Sequence, residues 1–253
     1  MELFLFLAAL CAFSLLPSAA PVLLRCGLTA CLRFSPRASL ALSSLAALTS
    51  CASMLLCRGG LRAVPVRQRI PVFIPAFLGG TLGRMLLLMF TARFSGSLAL
   101  ARVQTLPLLL LAVIAVFPRR ILFPASCAGL FAFSLLCAAA EGFFGCGGAA
   151  LFLFAGRRDL NRRSFSLPGA ALLLSFIAQL SALLLTLLSG ACEIFPGRML
   201  LALFASSALG GVIFEKTKKR AAIQHGLRIA LLLYTLLSAL SCAEQAFLPF
   251  SFN

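Results

Sequence analysis

Long apolar stretches separated by short basic gaps run through this sequence from end to end, and a chain patterned in that way has few ways to fold. The stretches cover residues 3–24, 38–57, 70–90, 103–117, 121–154, 165–189, 199–214 and 226–242. A bilayer core of about 30 Å is crossed by roughly 20 apolar residues in a helix, and shorter stretches suffice where flanking Arg and Lys reach toward the headgroups. Backbone polar groups find no water in hydrocarbon, so each stretch is predicted to be helical. The expected fold is an all-α polytopic membrane protein with about eight transmembrane helices. Composition excludes the soluble alternative, because a chain that is 62% hydrophobic and 11% charged, with a mean hydropathy of +1.08, cannot cover a water-soluble domain with polar surface. The first stretch is read as a span and not as a secretion signal: it has no basic leader, and Pro21 follows Ala19-Ala20 where cleavage would fall.

The net charge of +16 would suit a nucleic-acid partner, but the basic residues sit in the gaps between apolar runs and form no basic face interleaved with aromatics. No nucleic acid is expected. That placement suits membrane lipids instead, since cytoplasmic Lys and Arg orient helices and meet anionic headgroups. With the N-terminus outside, the inside gaps hold Arg25, Arg33, Arg37, Arg84, Arg93, Arg102, Arg157, Arg158, Arg162, Arg163, Lys216, Lys218, Lys219 and Arg220. The outside gaps hold the smaller set Arg58, Arg62, Arg67, Arg69, Arg119, Arg120 and Arg198. Both termini are therefore predicted outside, with the Arg58 to Arg69 cluster running against the rule.

Ten cysteines invite a redox or metal reading. No Cys-x-x-Cys pair occurs, most of the cysteines lie in or beside apolar runs, and His225 is the single histidine. They read as small apolar side chains, and neither metal nor cofactor is expected. A Gly-x-x-x-x-Gly-Lys-[Ser/Thr] phosphate loop is also missing from the sequence, so ATP is not the expected energy source.

A loose duplication organises the stretches. Gly60 precedes Gly80 in Leu78-Gly79-Gly80-Thr81-Leu82-Gly83-Arg84, and Gly190 precedes Gly210 at the same spacing in Ser207-Ala208-Leu209-Gly210-Gly211. This predicts two homologous four-helix repeats, residues 1–120 and 121–253. Repeated bundles are how many secondary transporters are built, with the solute held where the repeats meet. Four spans per half would give both repeats one orientation, whereas inverted repeats need an odd number of crossings in each half.

The sharpest local signal is Gly142-x-x-Gly145-x-Gly147-Gly148, followed by an apolar run and the basic turn Arg157-Arg158-Asp159-Leu160-Asn161-Arg162-Arg163. Successive glycines let backbone N–H groups form a concave nest, and a helix beginning there adds its positive end, so a discontinuous helix could hold an anion. The same glycines also serve close helix packing. Ionisable and amide groups inside spans are costly and are candidates for function. Glu141, just before the glycines, is a proton-coupling candidate, and Gln179, in the middle of a span, can donate to an anion or bridge helices.

The order of features resembles the sulfite exporter TauE/SafE family, also called the four-toluene-sulfonate-uptake-like transporters. Gly145-Cys146-Gly147-Gly148, then Arg162-Arg163-Ser164, then Gly190, then Ser207 to Gly211 and a basic turn follow the order of a family repeat. The first half is eroded: Pro17-Ser18-Ala19-Ala20 stands where the glycines would be, while Ser35-Pro36-Arg37, Ser39, Ser43, Ser44 and Gly79-x-x-x-Gly83 keep the rest. The resemblance implies a secondary transporter or exporter, in a bacterial inner membrane, of small anions such as sulfite, organosulfonates or other sulfur oxyanions. The glycine nest, the polar residue inside a span and the resemblance together give Gly142, Gly145, Gly147, Gly148, Ser164, Gln179, Ser18 and Ser43 as the expected substrate contacts, and a homo-oligomer is allowed. The alternatives are a non-transporting membrane scaffold or partner subunit and a membrane-embedded enzyme, for which no paired acid and base is visible in the sequence.

Overall fold

Apolar runs that lie within the structure fold as single helices. The computed structural model describes residues 2–15, 20–21, 24, 28, 36–64, 66–93, 127–144, 169–190 and 195–217. Six α-helices lie within them: α1 (Glu2–Leu15), α2 (Pro36–Cys57), α3 (Val66–Arg93), α4 (Cys127–Phe144), α5 (Gly169–Leu188) and α6 (Gly197–Thr217), with a 3-10 turn at Gly60–Ala63. No strand occurs among the described residues. Four helices are long and apolar enough to cross a membrane, over Ala38–Cys57, Arg69–Phe90, Gly169–Leu188 and Gly197–Lys216, and two shorter apolar helices are Leu5–Ser14 and Cys127–Phe143. By length and composition the chain is an all-α integral membrane protein. The expected spans 103–117 and 226–242 lie outside the described residues.

Helix α3 shows how such a chain is sorted between lipid and protein. Ile70, Phe73, Ile74, Phe77, Leu78, Leu82, Met85, Leu86 and Met89 form an exposed stripe at helical spacing, while Val72, Ala76, Arg84 and Leu87 are buried on the other side. A stripe of large apolar side chains exposed over the length of a helix suits hydrocarbon and not water. Its prolines, Pro71 and Pro75, fall within the helix, as membrane helices tolerate. Several hydroxyls in the spans are satisfied by their own helix: Ser43 Oγ donates to Leu40 O (3.0 Å), Ser53 Oγ to Ser50 O (2.8 Å) and Ser181 Oγ to Ala178 O (3.0 Å).

Glycine pairs set the helix contacts. On α3, a Cβ at Gly79 would lie 2.8 Å from Ala138 Cβ of α4, and one at Gly80 would meet Ala178 and Ser181 of α5. On α6, a Cβ at Gly210 would lie 2.6 Å from Phe13 Cβ of α1, and one at Gly211 would meet Ser50 and Ser53 of α2. Thus α3 packs on α4 and α5, and α6 packs on α1 and α2. Absent side chains bring backbones together, which is how helices associate where lipid supplies no hydrophobic drive. Glycine has a second use at the turns after α2 and α5, where Gly59, Gly60 and Gly190 take φ values of 88°, 65° and 64°, a region costly for other residues.

Contact order along the helices gives their directions. Thr49 hydrogen-bonds Ser207, Gly211 meets Ser50 and Ser53, and Arg58 pairs with Glu215, so positions rise together and α2 is parallel to α6. Gly79 meets Ala138 and Ala139, Gly83 meets Ala139 and Phe143, and Phe90 meets Phe143 edge-on at 6.5 Å, so α3 is parallel to α4. Helices α2 and α3 are joined by residues 58–65, and Arg84 reaches back to Ser44, so this pair is antiparallel. The eight-span layout placed Arg58 outside and Lys216 inside. The Arg58–Glu215 pair corrects it by putting the ends of α2 and α6 on one face, which requires one crossing more or fewer between them than the layout held.

Candidate functional site

Charged side chains buried inside an apolar bundle define the site. Arg84, on the protein-facing side of α3, is 1% exposed, and its Nη2 donates to Ser44 Oγ of α2 at 3.0 Å. Glu141, near the end of α4, is also 1% exposed, and its Oε1 accepts from Ser175 Oγ at 2.6 Å and from Gln179 Nε2 at 3.0 Å, both on α5. The Cys51 thiol of α2 lies beside Ser175, and both it and the Cys137 thiol of α4 lie close enough to feel the Glu141 charge. Among the described residues, one guanidinium and one carboxylate therefore enter a core walled by α2, α3, α4 and α5. Gln179 Oε1, on a residue that is 1% exposed, has no hydrogen-bond partner among the described residues. An acceptor left without a donor in such surroundings is costly.

Gly142 makes this arrangement possible. A Cβ there would strike Gly80 O and lie 3.1 Å from Arg84 N, so α3 and α4 touch backbone to backbone beside both charges. The sequence predicts a helix break over Gly142 to Gly148; Gly142 itself lies inside α4, whose described part ends at Phe144, and the rest of that segment lies outside the described residues. Gln179 and Glu141, read separately in the sequence, come together as donor and acceptor. Ser43 is buried but bonds its own helix, and its neighbour Ser44 is the one that meets Arg84. Gly145, Gly147, Gly148, Ser164 and Ser18 lie outside the described residues. The basic-residue count assigns Arg84 to a gap between spans, whereas the structure buries it inside α3 as the cation of the site. The signal was present: a cation six residues inside an apolar run and next to Gly83 is an intramembrane residue, not an edge.

A second charged contact ties α2 to α6 at one end. Arg58 Nε donates to Glu215 Oε1 at 2.8 Å, and Nη2 also reaches the same oxygen; the side chains are 14% and 5% exposed. Arg58→Gln is expected to lower stability by about 2 kcal/mol, because the Glu215 carboxylate stays desolvated without its cation. The charge-reversed double variant Arg58→Glu with Glu215→Arg should recover most of it. Thermal midpoints in detergent measure both, and equal midpoints for wild type and Arg58→Gln would show that the pair adds nothing.

No group of three His, Cys, Asp or Glu side chains among the described residues is placed to hold a metal ion. The fold and this core define a helical membrane protein with a charged interior. No family model, curated protein or solved structure matches the chain.

Proposed function

We propose that the chain is a secondary transporter moving a small anion, such as sulfite, an organosulfonate or another sulfur oxyanion, across a bacterial inner membrane. The observation that carries this is the pair of buried charges between apolar helices, the Arg84 guanidinium bonded to Ser44 and the Glu141 carboxylate bonded to Ser175 and Gln179, on a chain with helices long enough to span the bilayer. A cation inside a membrane bundle is expensive and marks an ion path or a solute site. The matched contacts of Gly79-Gly80 and Gly210-Gly211 support reading the chain as two repeats. In that reading α1, α2 and α3 correspond to α4, α5 and α6. Helix α6 runs parallel to α2 and therefore opposite to α3, its counterpart, which favours inverted repeats over the same-sense repeats expected from four spans per half. Inverted repeats rocking about a shared site produce alternating access. The likeness to the TauE/SafE family supplies the sulfur-oxyanion class.

Uptake of labelled sulfite, thiosulfate, methanesulfonate and taurine into proteoliposomes holding the purified chain tests the proposal. Saturable uptake of at least one of these anions above protein-free vesicles is expected. Uptake indistinguishable from empty vesicles for all of them would sink it.

A further inference from the structure

Charge balance in the core leads to the coupling ion. Among the described residues, the empty core holds one guanidinium, Arg84, and one carboxylate, Glu141. A monoanion arriving beside Arg84 would leave a net negative charge in a low-dielectric interior, where uncompensated charge is strongly disfavoured. Among the described residues of this core, the group able to restore neutrality is Glu141. Its described surroundings include Cys51 from α2, Cys137 on its own helix, Ser175 and Gln179 from α5, which do not titrate, and the Arg84 backbone of α3 across the neighbouring Gly142 contact. Gln179 Oε1, buried beside the carboxylate, adds an acceptor suited to the O–H that a protonated Glu141 would carry.

Resting on the anion-transport reading, we infer that Arg84 holds the anion and that Glu141 takes up one proton on a carboxylate oxygen for each monoanion bound, so that anion and proton cross together without net charge movement. Cotransport also gives the two residues different roles. Arg84 is a substrate-binding residue, whereas Glu141 is the coupling residue and its loss uncouples the anion from the proton.

Methanesulfonate is the probe of choice because it stays a monoanion through the working pH range. In proteoliposomes, an inside-alkaline pH gradient should accelerate its entry, an imposed membrane potential should not, and an internal pH dye should report acidification with entry. Glu141→Gln should retain exchange of labelled for unlabelled anion and lose all response to the pH gradient. Arg84→Gln should lose both exchange and anion-dependent thermal stabilisation in detergent, and Arg84→Lys should regain part of each. If Arg84 and Glu141 serve only as each other's counter-ion, the double variant Arg84→Gln with Glu141→Gln should transport like wild type, and that result overturns the inference. So does potential-driven uptake by the wild type, or an unchanged pH response in Glu141→Gln. Wild-type protein that moves none of the tested anions removes the transport reading and the inference together, whereas active wild type with unaltered variants removes the inference alone.

Discussion

Valine at Gly142 is expected to destabilise the bundle by about 3 kcal/mol, near the upper end of overpacking costs, with alanine costing less. The reason is the identity of the atoms in the way. A Cβ at Gly142 runs into Gly80 O and approaches Arg84 N, and backbone atoms of a packed helix cannot swing aside as a long side chain can. Forcing α3 and α4 apart would also shift Arg84 from Ser44 and Glu141 from Ser175, so activity should fall with stability. Gly197→Val is the control, because nothing lies within 4 Å of a Cβ at Gly197. Unfolding midpoints in a denaturing detergent series decide the matter. A Gly142→Val midpoint equal to that of Gly197→Val would mean that the helices do not touch here.

Labelling from the two sides of the membrane should give an all-or-none contrast between Leu61→Cys and Gly197→Cys, each in a background without native cysteines. Arg58 and Glu215 meet, so the turn after α2 shares a face with the end of α6. Helix α6 has 21 residues and at 1.5 Å per residue is about 30 Å long, which puts Gly197 on the opposite face. The shared face gathers Arg58, Arg62, Arg67, Arg69 and Lys216, against Arg37, Arg93 and Arg198 at the other ends of the described helices. The positive-inside rule makes the richer face cytoplasmic. Membrane-impermeant maleimide added to intact cells is therefore expected to modify Gly197→Cys and spare Leu61→Cys. The opposite pattern reverses the orientation, and equal labelling of both removes the parallel arrangement of α2 and α6.

The Arg58 to Arg69 cluster ceases to be an exception once the two ends share a face. Sequence reading found the positions of α2, α3, α5 and α6 within a few residues, because an apolar run has one way to satisfy its backbone in lipid and glycines or basic residues mark where it stops. It could not find their mutual direction. Direction depends on how many times the chain crosses between two helices, and a long apolar stretch such as 121–154 is compatible with more than one count. The site was half legible for a related reason. Glu141 and Gln179 stand out as polar residues inside apolar runs, but only the fold brings them within 3.0 Å. Arg84 was hidden by its charge, since an arginine toward the end of an apolar run looks like a membrane-edge marker. Gly142 was legible only as one of two alternatives: the structure shows it at a close helix contact, the packing use the sequence also allowed, and no local pattern separates that from a helix break.

The crossed packing of α3 and α6 has a consequence for how the protein is made. When α3 leaves the ribosome, the residues that will cover Gly79 and Gly80, on α4 and α5, do not yet exist. At about 5–20 residues per second they follow several seconds later. Through that interval the small-residue face of α3 and the Arg84 side chain must be sheltered by lipid or by the insertion machinery. Closure comes when α6, the last of the described helices, settles on α1 and α2, the earliest. Neither the N-terminal nor the C-terminal portion can finish its interior without the other. Expressed as separate fragments in one membrane, they should be short-lived alone and persist as a pair.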